Sequence, residues 1–232
     1  MKVSTFLLLL VFCCSRTFAQ NVLETHDPNQ TLTAEKCYDV IKTVWDGLKK
    51  LSEQYQAEAS AKNEFESSAE YNARIQRSKD EYVNKIRKFY SDNKLNSRVY
   101  NVWFKADLVK YDADNQTYGL RSSTQILVQP KKNEVALSMP ENKYIALTEK
   151  NSKGYRRAYI HLNTNPEFTW FVNKQTAQDA KNRESDIFFK LSFVFDISFN
   201  ESAQQINLQV VPTKLALMNQ SENFTFWSED IR

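Results

Sequence analysis

The chain is poor in residues that punctuate, staple or catalyse. Its 232 residues hold 3 Gly, 5 Pro, 3 Cys and 2 His. So little Gly and Pro excludes collagen-like and low-complexity chains. Three cysteines cannot staple a disulfide miniprotein. Three glycines cannot build phosphate-cradling loops, and no Gly-x-Ser-x-Gly elbow occurs. Two histidines, with no cluster of His and Cys, leave little for zinc ligation or a Ser or Cys triad. No apolar run approaches the ~20 residues that a membrane-spanning helix needs. What is present is 41% hydrophobic, 25% charged and 13% aromatic, the balance of one folded domain.

The first residues read as an export signal. Lys2 is followed by the apolar run Phe6–Phe12, and Thr17-Phe18-Ala19 places small residues three and one before Gln20. That pattern predicts a signal peptide over 1–19 and cleavage after Ala19, so the mature chain is expected in the periplasm or outside the cell. Of the 31 basic residues, Lys2 and Arg16 leave with the segment, so the mature net charge falls from +3 to +1 against 28 acidic residues. A chain so close to neutral has no electrostatic case for nucleic acid. Cys13 and Cys14 leave as well. Cys37 then stands alone on an apolar helix face, where it reads as a small buried hydrophobe, with intermolecular pairing as the alternative.

Residues 20–32 are polar and read as a flexible leader. From Thr33, a plausible N-cap, Cys37, Val40, Ile41, Val44, Leu48, Leu51 and Tyr55 recur at helical steps, predicting a helix to about Ala61. Residues 62–68 interrupt it. Ser67 with Glu70 makes a capping box before a second helix carrying Tyr71, Ile75, Tyr82, Ile86, Phe89 and Tyr90. The span 33–94 is therefore a helical hairpin. From residue 95 the period becomes two. Tyr100 to Leu108 alternate, 111–116 turn the chain, and 118–128 return with a break near 122–124. Short strands are expected at 135–139 and 144–148, and another at 155–162. The clearest signal is the alternation of Ile187, Phe189, Leu191, Phe193, Phe195, Ile197 and Phe199, a long strand with one buried side. Its returning partner slips phase beside Pro212, which points to a bulge or an edge. Phe224, Phe226 and Trp227 close the chain against something apolar. Helices first and strands after predict an α+β fold, an N-terminal antiparallel helix pair packed on a mainly antiparallel β-sheet.

Residues that could carry chemistry are few. No catalytic grouping emerges, and no cofactor is expected. Tyr155, Arg157, Tyr159 and His161 form one stripe of a strand, where an Arg between aromatics can stack and hold a carboxylate or phosphate. The wet face of a strand over a core has the same pattern. Asp112, Asp114 and Asn115 form an oxygen-rich cluster, the nearest approach to a calcium site. However, the loop lacks Gly at the sixth position and an acid at its end, and Asx-rich turns arise for backbone reasons alone.

The stretch Glu64-Phe65-Glu66-Ser67-Ser68-Ala69-Glu70-Tyr71-Asn72-Ala73-Arg74-Ile75 resembles a segment of uncharacterised exported bacterial proteins, in which Glu-Phe-Glu precedes Thr or Ser and a Tyr-x-x-Arg. Tyr111-Asp112-Ala113-Asp114-Asn115-Gln116-Thr117-Tyr118 is similar to the tyrosine-flanked turn that follows in them. The resemblance implies a fold and a compartment, with no assigned reaction. In its light Arg74 is structural, pairing with a carboxylate such as Glu66 or Glu70. The expectation is thus an exported non-enzymatic module that binds a protein or a cell-envelope component. The alternative is a small-ligand carrier or enzyme with a pocket between the helix pair and the sheet. A third reading is assembly through the edge near Pro212.

Overall fold

The strand with the strongest alternation organises the rest. The computed structural model describes residues 23, 27, 30–128, 135–152, 155–163, 168–200 and 205–231. The expected signal peptide lies outside them. Helices α1 (Ala34–Glu58) and α2 (Ser68–Asp92) come first, after a two-residue strand β1 (Thr31–Leu32). Strands follow as β2 (Tyr100–Lys105), β3 (Asp107–Asp112), β4 (Thr117–Arg121), β5 (Gln125–Val128), β6 (Val135–Ser138), β7 (Ile145–Ser152), β8 (Tyr155–Leu162) and β9 (Phe168–Phe171). A short helix α3 (Lys174–Asn182) precedes β10 (Ile187–Asn200), β11 (Gln205–Asn219) and β12 (Phe224–Asp230). The fold is α+β, as expected.

The strands form three sheets rather than one. The largest runs β1-β2-β10-β11-β12, with β6 also on β11; the others are β3-β4-β9 and β5-β8-β7. Strands β10 and β11 pair antiparallel from Ile187↔Asn219 to Asn200↔Gln205. Ser192 faces Lys214 but Phe193 faces Pro212, so Thr213 is the extra residue of a bulge. Its hydroxyl donates to Ser192 O at 3.1 Å. The bulge resets the pleat: Ile206, Leu208 and Val210 are buried before it, Leu215 and Leu217 after it. Pro212 lies between the stretch of β11 that pairs β6 and the stretch that pairs β12, so on that edge no ladder partner awaits its missing N–H. Two short pairs are parallel, β1 with β2 and β6 with β11. Long intervening segments, the helix pair in one case and β7 to β10 with α3 in the other, provide the crossovers that adjacent strands lack.

Helix α1 starts where Lys36 N donates to Thr33 Oγ1 at 3.3 Å. At α2, Glu70 N donates to Ser67 Oγ and Ser67 N to Glu70 Oε2, at 3.2 and 2.8 Å. This is the capping box read from the sequence. Arg74 pairs with Glu66, Nε to Oε1 at 2.8 Å and Nη2 to Oε2 at 3.0 Å, and also donates to Glu58 O and Ser60 O. One guanidinium therefore fixes the whole connection between the helices. A Cβ at Gly47 would sit 2.6 Å from the Phe89 ring, so a glycine is needed where α2 crosses α1.

The two helices do not lie side by side over β10. Helix α1 rests mainly on β5 and also touches β1, β2, β6 and β11. It buries Cys37, Val40, Ile41, Val44 and Leu48 at 0–2% exposure. Trp45 Nε1 donates to Val135 O at 3.4 Å. Helix α2 buries only Tyr82 and Ile86 and rides on α1. It reaches the far end of β10 through Tyr82 against Phe199 (centroids 5.5 Å apart) and Tyr90, whose hydroxyl donates to Asp196 Oδ1 at 3.0 Å. Near its start, β10 is covered instead by Phe168 of β9, 5.4 Å from Phe189. The segment expected as a flexible leader is anchored at its end. Leu23 and Leu32 are 1% and 3% exposed, and β1 pairs with β2.

Burial of the alternating face is complete from Ile187 to Phe195 and partial at Ile197 and Phe199. Phe195 packs edge-on against Tyr100 and Phe193. Phe195→Ala should cost about 3–5 kcal/mol, read as a lower urea midpoint with an unchanged slope. A change below about 1 kcal/mol would contradict this packing.

Candidate functional site

The stripe singled out in the sequence lies along strand β8. On β8, Ala158, Ile160 and Leu162 are buried, while Arg157 is exposed and Tyr159 and His161 are half-buried. Arg157 stands opposite Lys150, Tyr159 opposite Thr148 and Leu127, and His161 opposite Ala146 and Gln125. Lys150 Nζ lies 5.1 Å from the Tyr159 ring centroid. His161 Nδ1 sits 2.8 Å from Leu162 O, which requires its proton on Nδ1. Tyr155 opens β8 opposite Ser152. No hydrogen bond, ion pair or ring contact joins Arg157, Tyr159 and His161 to one another among the described residues.

The oxygen cluster at 112–115 is a hairpin turn. Asp112 Oδ1 accepts from Asp114 N and Asn115 N at 3.0 and 3.1 Å, and Asn115 Nδ2 donates to Asp112 Oδ2 at 2.7 Å. Those bonds hold the Asp112 carboxyl below the usual range, the Asn115 side chain contributing most. Gln116 closes the turn in the left-handed region at φ 49°. The carboxylate is thus committed to N–H donors, and no group of three or more His, Cys, Asp or Glu that could hold a metal occurs among the described residues.

Side chains converge instead where the three sheets meet. Asn142 Oδ1 accepts from Tyr144 N and Ile145 N at 3.0 and 2.7 Å, an Asx turn that aims Tyr144 inward before β7. Asn163 N, at the end of β8, donates to Tyr144 O at 2.7 Å. Phe168 is set by β9 pairing with β4, opposite Leu120. Trp227 and Glu229 are set by β12 pairing with β11, opposite Leu217 and Leu215. Phe226 is the extra residue of a second bulge there, and its ring packs on Trp170. The rings of Tyr144, Phe168 and Trp227 then pack mutually, with centroids 4.9–5.8 Å apart and planes inclined by 51–72°.

These residues, with Phe171, Thr169, Asn163 and Lys143, line a cleft of about 370 Å³. That is near the lower end of the ~300–1,000 Å³ found for small-molecule sites. Phe171 stands on its rim at 79% exposure, whereas Tyr144 is only 6% exposed. The polar groups form a chain. Lys143 Nζ donates to Tyr144 Oη at 3.1 Å, and the Tyr144 hydroxyl donates to Glu229 Oε2. Burial, then the bond to Glu229, pushes the Tyr144 phenol upward. The bond to Tyr144 raises the Lys143 ammonium. The cleft therefore presents a cation, a carboxylate and a protonated phenol around an aromatic floor.

The sequence reading missed this site, since Tyr144 and Glu229 are 85 residues apart. The available signals were the aromatic clusters Phe168-Thr169-Trp170-Phe171 and Phe224-Thr225-Phe226-Trp227.

The raised phenol has a pH consequence. A folded-state pKa above the unfolded value, ~10 for Tyr, stabilises the fold below pH ~10 and loses that contribution as pH rises through the folded value. Tyr90 and Tyr100, both pushed up to about 12 chiefly by burial, act in the same direction. Urea melts from pH 9 to 12 should show a shallower alkaline decline for Tyr144→Phe than for wild type. Parallel declines would contradict the arrangement. Compared with known proteins, the chain matches no protein family, no curated protein and no solved structure.

Proposed function

We propose that this is an exported, non-enzymatic binding module that recognises a cell-envelope component through the cleft of Tyr144, Phe168, Phe171 and Trp227. The observation that carries the reading is Phe171, a large aromatic left 79% exposed at the rim of a cleft floored by three packed rings. Exposed aromatics beside a concave, partly polar floor are the usual make-up of recognition surfaces. The polar groups support binding over catalysis. Lys143 and Glu229 are tied to each other through Tyr144, and a phenol held protonated is a donor, not a base. Export follows from the pattern at 1–19, and the resemblance at 64–75 and 111–118 points the same way. Among the described residues no helix is long and apolar enough to cross a membrane.

Phe171 can be removed without touching the core. Mature protein beginning at Gln20 should co-sediment with isolated envelopes of the producing cell. Phe171→Ala should lower the retained fraction about tenfold while leaving far-UV circular dichroism and the urea midpoint unchanged. No sedimentation of the wild type, or equal sedimentation of both proteins, would overturn the reading.

A further inference from the structure

We infer that the ligand of this cleft is a neutral glycan chain; the inference rests on the binding-module reading and names its ligand class. Charge comes first. Lys143 and Glu229 stand on the same small cleft, joined through the Tyr144 hydroxyl. A ligand of net positive charge meets the ammonium of Lys143, and one of net negative charge meets the Glu229 carboxylate. Both side chains are exposed, so solvent screens each charge, and one cation beside one carboxylate gives the cleft no net charge to draw in an ion of either sign. Cation–π capture of an ammonium on the aromatic floor is opposed in the same way, since the Lys143 Nζ already lies 4.8 Å from the Tyr144 ring centroid.

Hydrogen-bonding capacity comes second. The ammonium has three protons and spends one on Tyr144, leaving donors for a ligand oxygen. The carboxylate accepts from Tyr144 on Oε2, leaving Oε1 as an acceptor. A hydroxyl both donates and accepts, so neighbouring hydroxyls on one ring satisfy Lys143 and Glu229 together without bringing charge. The remaining lining is ring surface from Phe168, Phe171 and Trp227, which suits a ligand with one flat C–H face. A pyranose combines a C–H face with an edge of hydroxyls.

Extent comes third. A second depression of about 460 Å³ also has Asn163 in its wall, and its other walls include Glu141, Asn142 and Glu149. Asn163 borders both depressions. A chain of sugar units long enough to pass Asn163 would reach the second depression, whose walls are part polar and part apolar, where a single ring would fill only the first.

The test is calorimetric titration of the mature chain with neutral oligosaccharides of two to six units, namely β-1,4-linked glucose, N-acetylglucosamine and mannose series. Parallel titrations use polygalacturonate fragments, chitosan fragments and free aromatic amino acids. At least one neutral series should bind, with affinity rising from two to four units. Phe171→Ala and Glu229→Gln should each weaken it about tenfold or more. Three results overturn the inference: preference for a charged oligosaccharide, binding of zwitterionic amino acids in place of sugars, or neutral binding unaffected by either variant. Absence of all glycan binding, with Phe171-dependent envelope retention intact, overturns the glycan assignment and leaves the binding-module reading standing. Loss of both overturns both.

Discussion

Everything in the structure hangs on the pairing of β10 with β11. It runs the full length of β10 and seats five consecutive inward side chains, from Ile187 to Phe195, at no more than 1% exposure. Burying such aromatic and aliphatic side chains supplies about 1.5–3 kcal/mol each, so this one face is a large share of the core. The bulge at Thr213 lets one strand keep its apolar side inward along its length. Without the extra residue, Leu215 and Leu217 would turn to the opposite face, because register and face are locked together in a pleated strand.

The same pairing positions the cleft. Trp227 and Glu229 point toward Tyr144 because β12 is registered on Leu217 and Leu215 of β11. Phe168 reaches them because it packs on Phe189 of β10. The third wall comes from Tyr144, held by the Asx turn of Asn142 and by Asn163 at the end of β8. A concavity arises here because its residues come from three separate sheets and their flanking loops, and the aromatic side chains only partly fill the space between them. Helix α1 closes the other side by packing on β5 while still touching strands of the largest sheet.

Local physics was legible in the sequence, and long-range pairing was not. The period-two run at 187–199, the capping box at Ser67 and Glu70, and the phase slip beside Pro212 depend on near neighbours, and each has its counterpart in the structure. Arg74 pairs with Glu66 because Glu70 is already engaged by Ser67; spacing alone left the two equivalent. The division into three sheets was not legible, because the break at 122–124 looks like a bend whether or not the chain leaves its sheet. There Thr124 Oγ1 accepts from Lys105 N at 2.9 Å and the chain crosses over. The parallel pairs β1–β2 and β6–β11 were equally hidden, since their partners lie far apart in sequence. The stripe at Tyr155, Arg157, Tyr159 and His161 was visible because it lies on one strand. The cleft was not, because its walls come from β9, β12 and the loops flanking β7 and β8, far apart in sequence.

The central claim is that the β10–β11 pairing is the most stable part of the molecule and the frame for the rest. Native-state hydrogen exchange measures this directly, because amides that open only with global unfolding report the full stability of the fold. The account predicts that backbone amides of Phe189–Phe195 and their partners in 210–217 exchange slowest, at a rate set by global unfolding, with α2 exchanging faster. Slowest exchange in α1 and α2, with β10 opening locally, would contradict it.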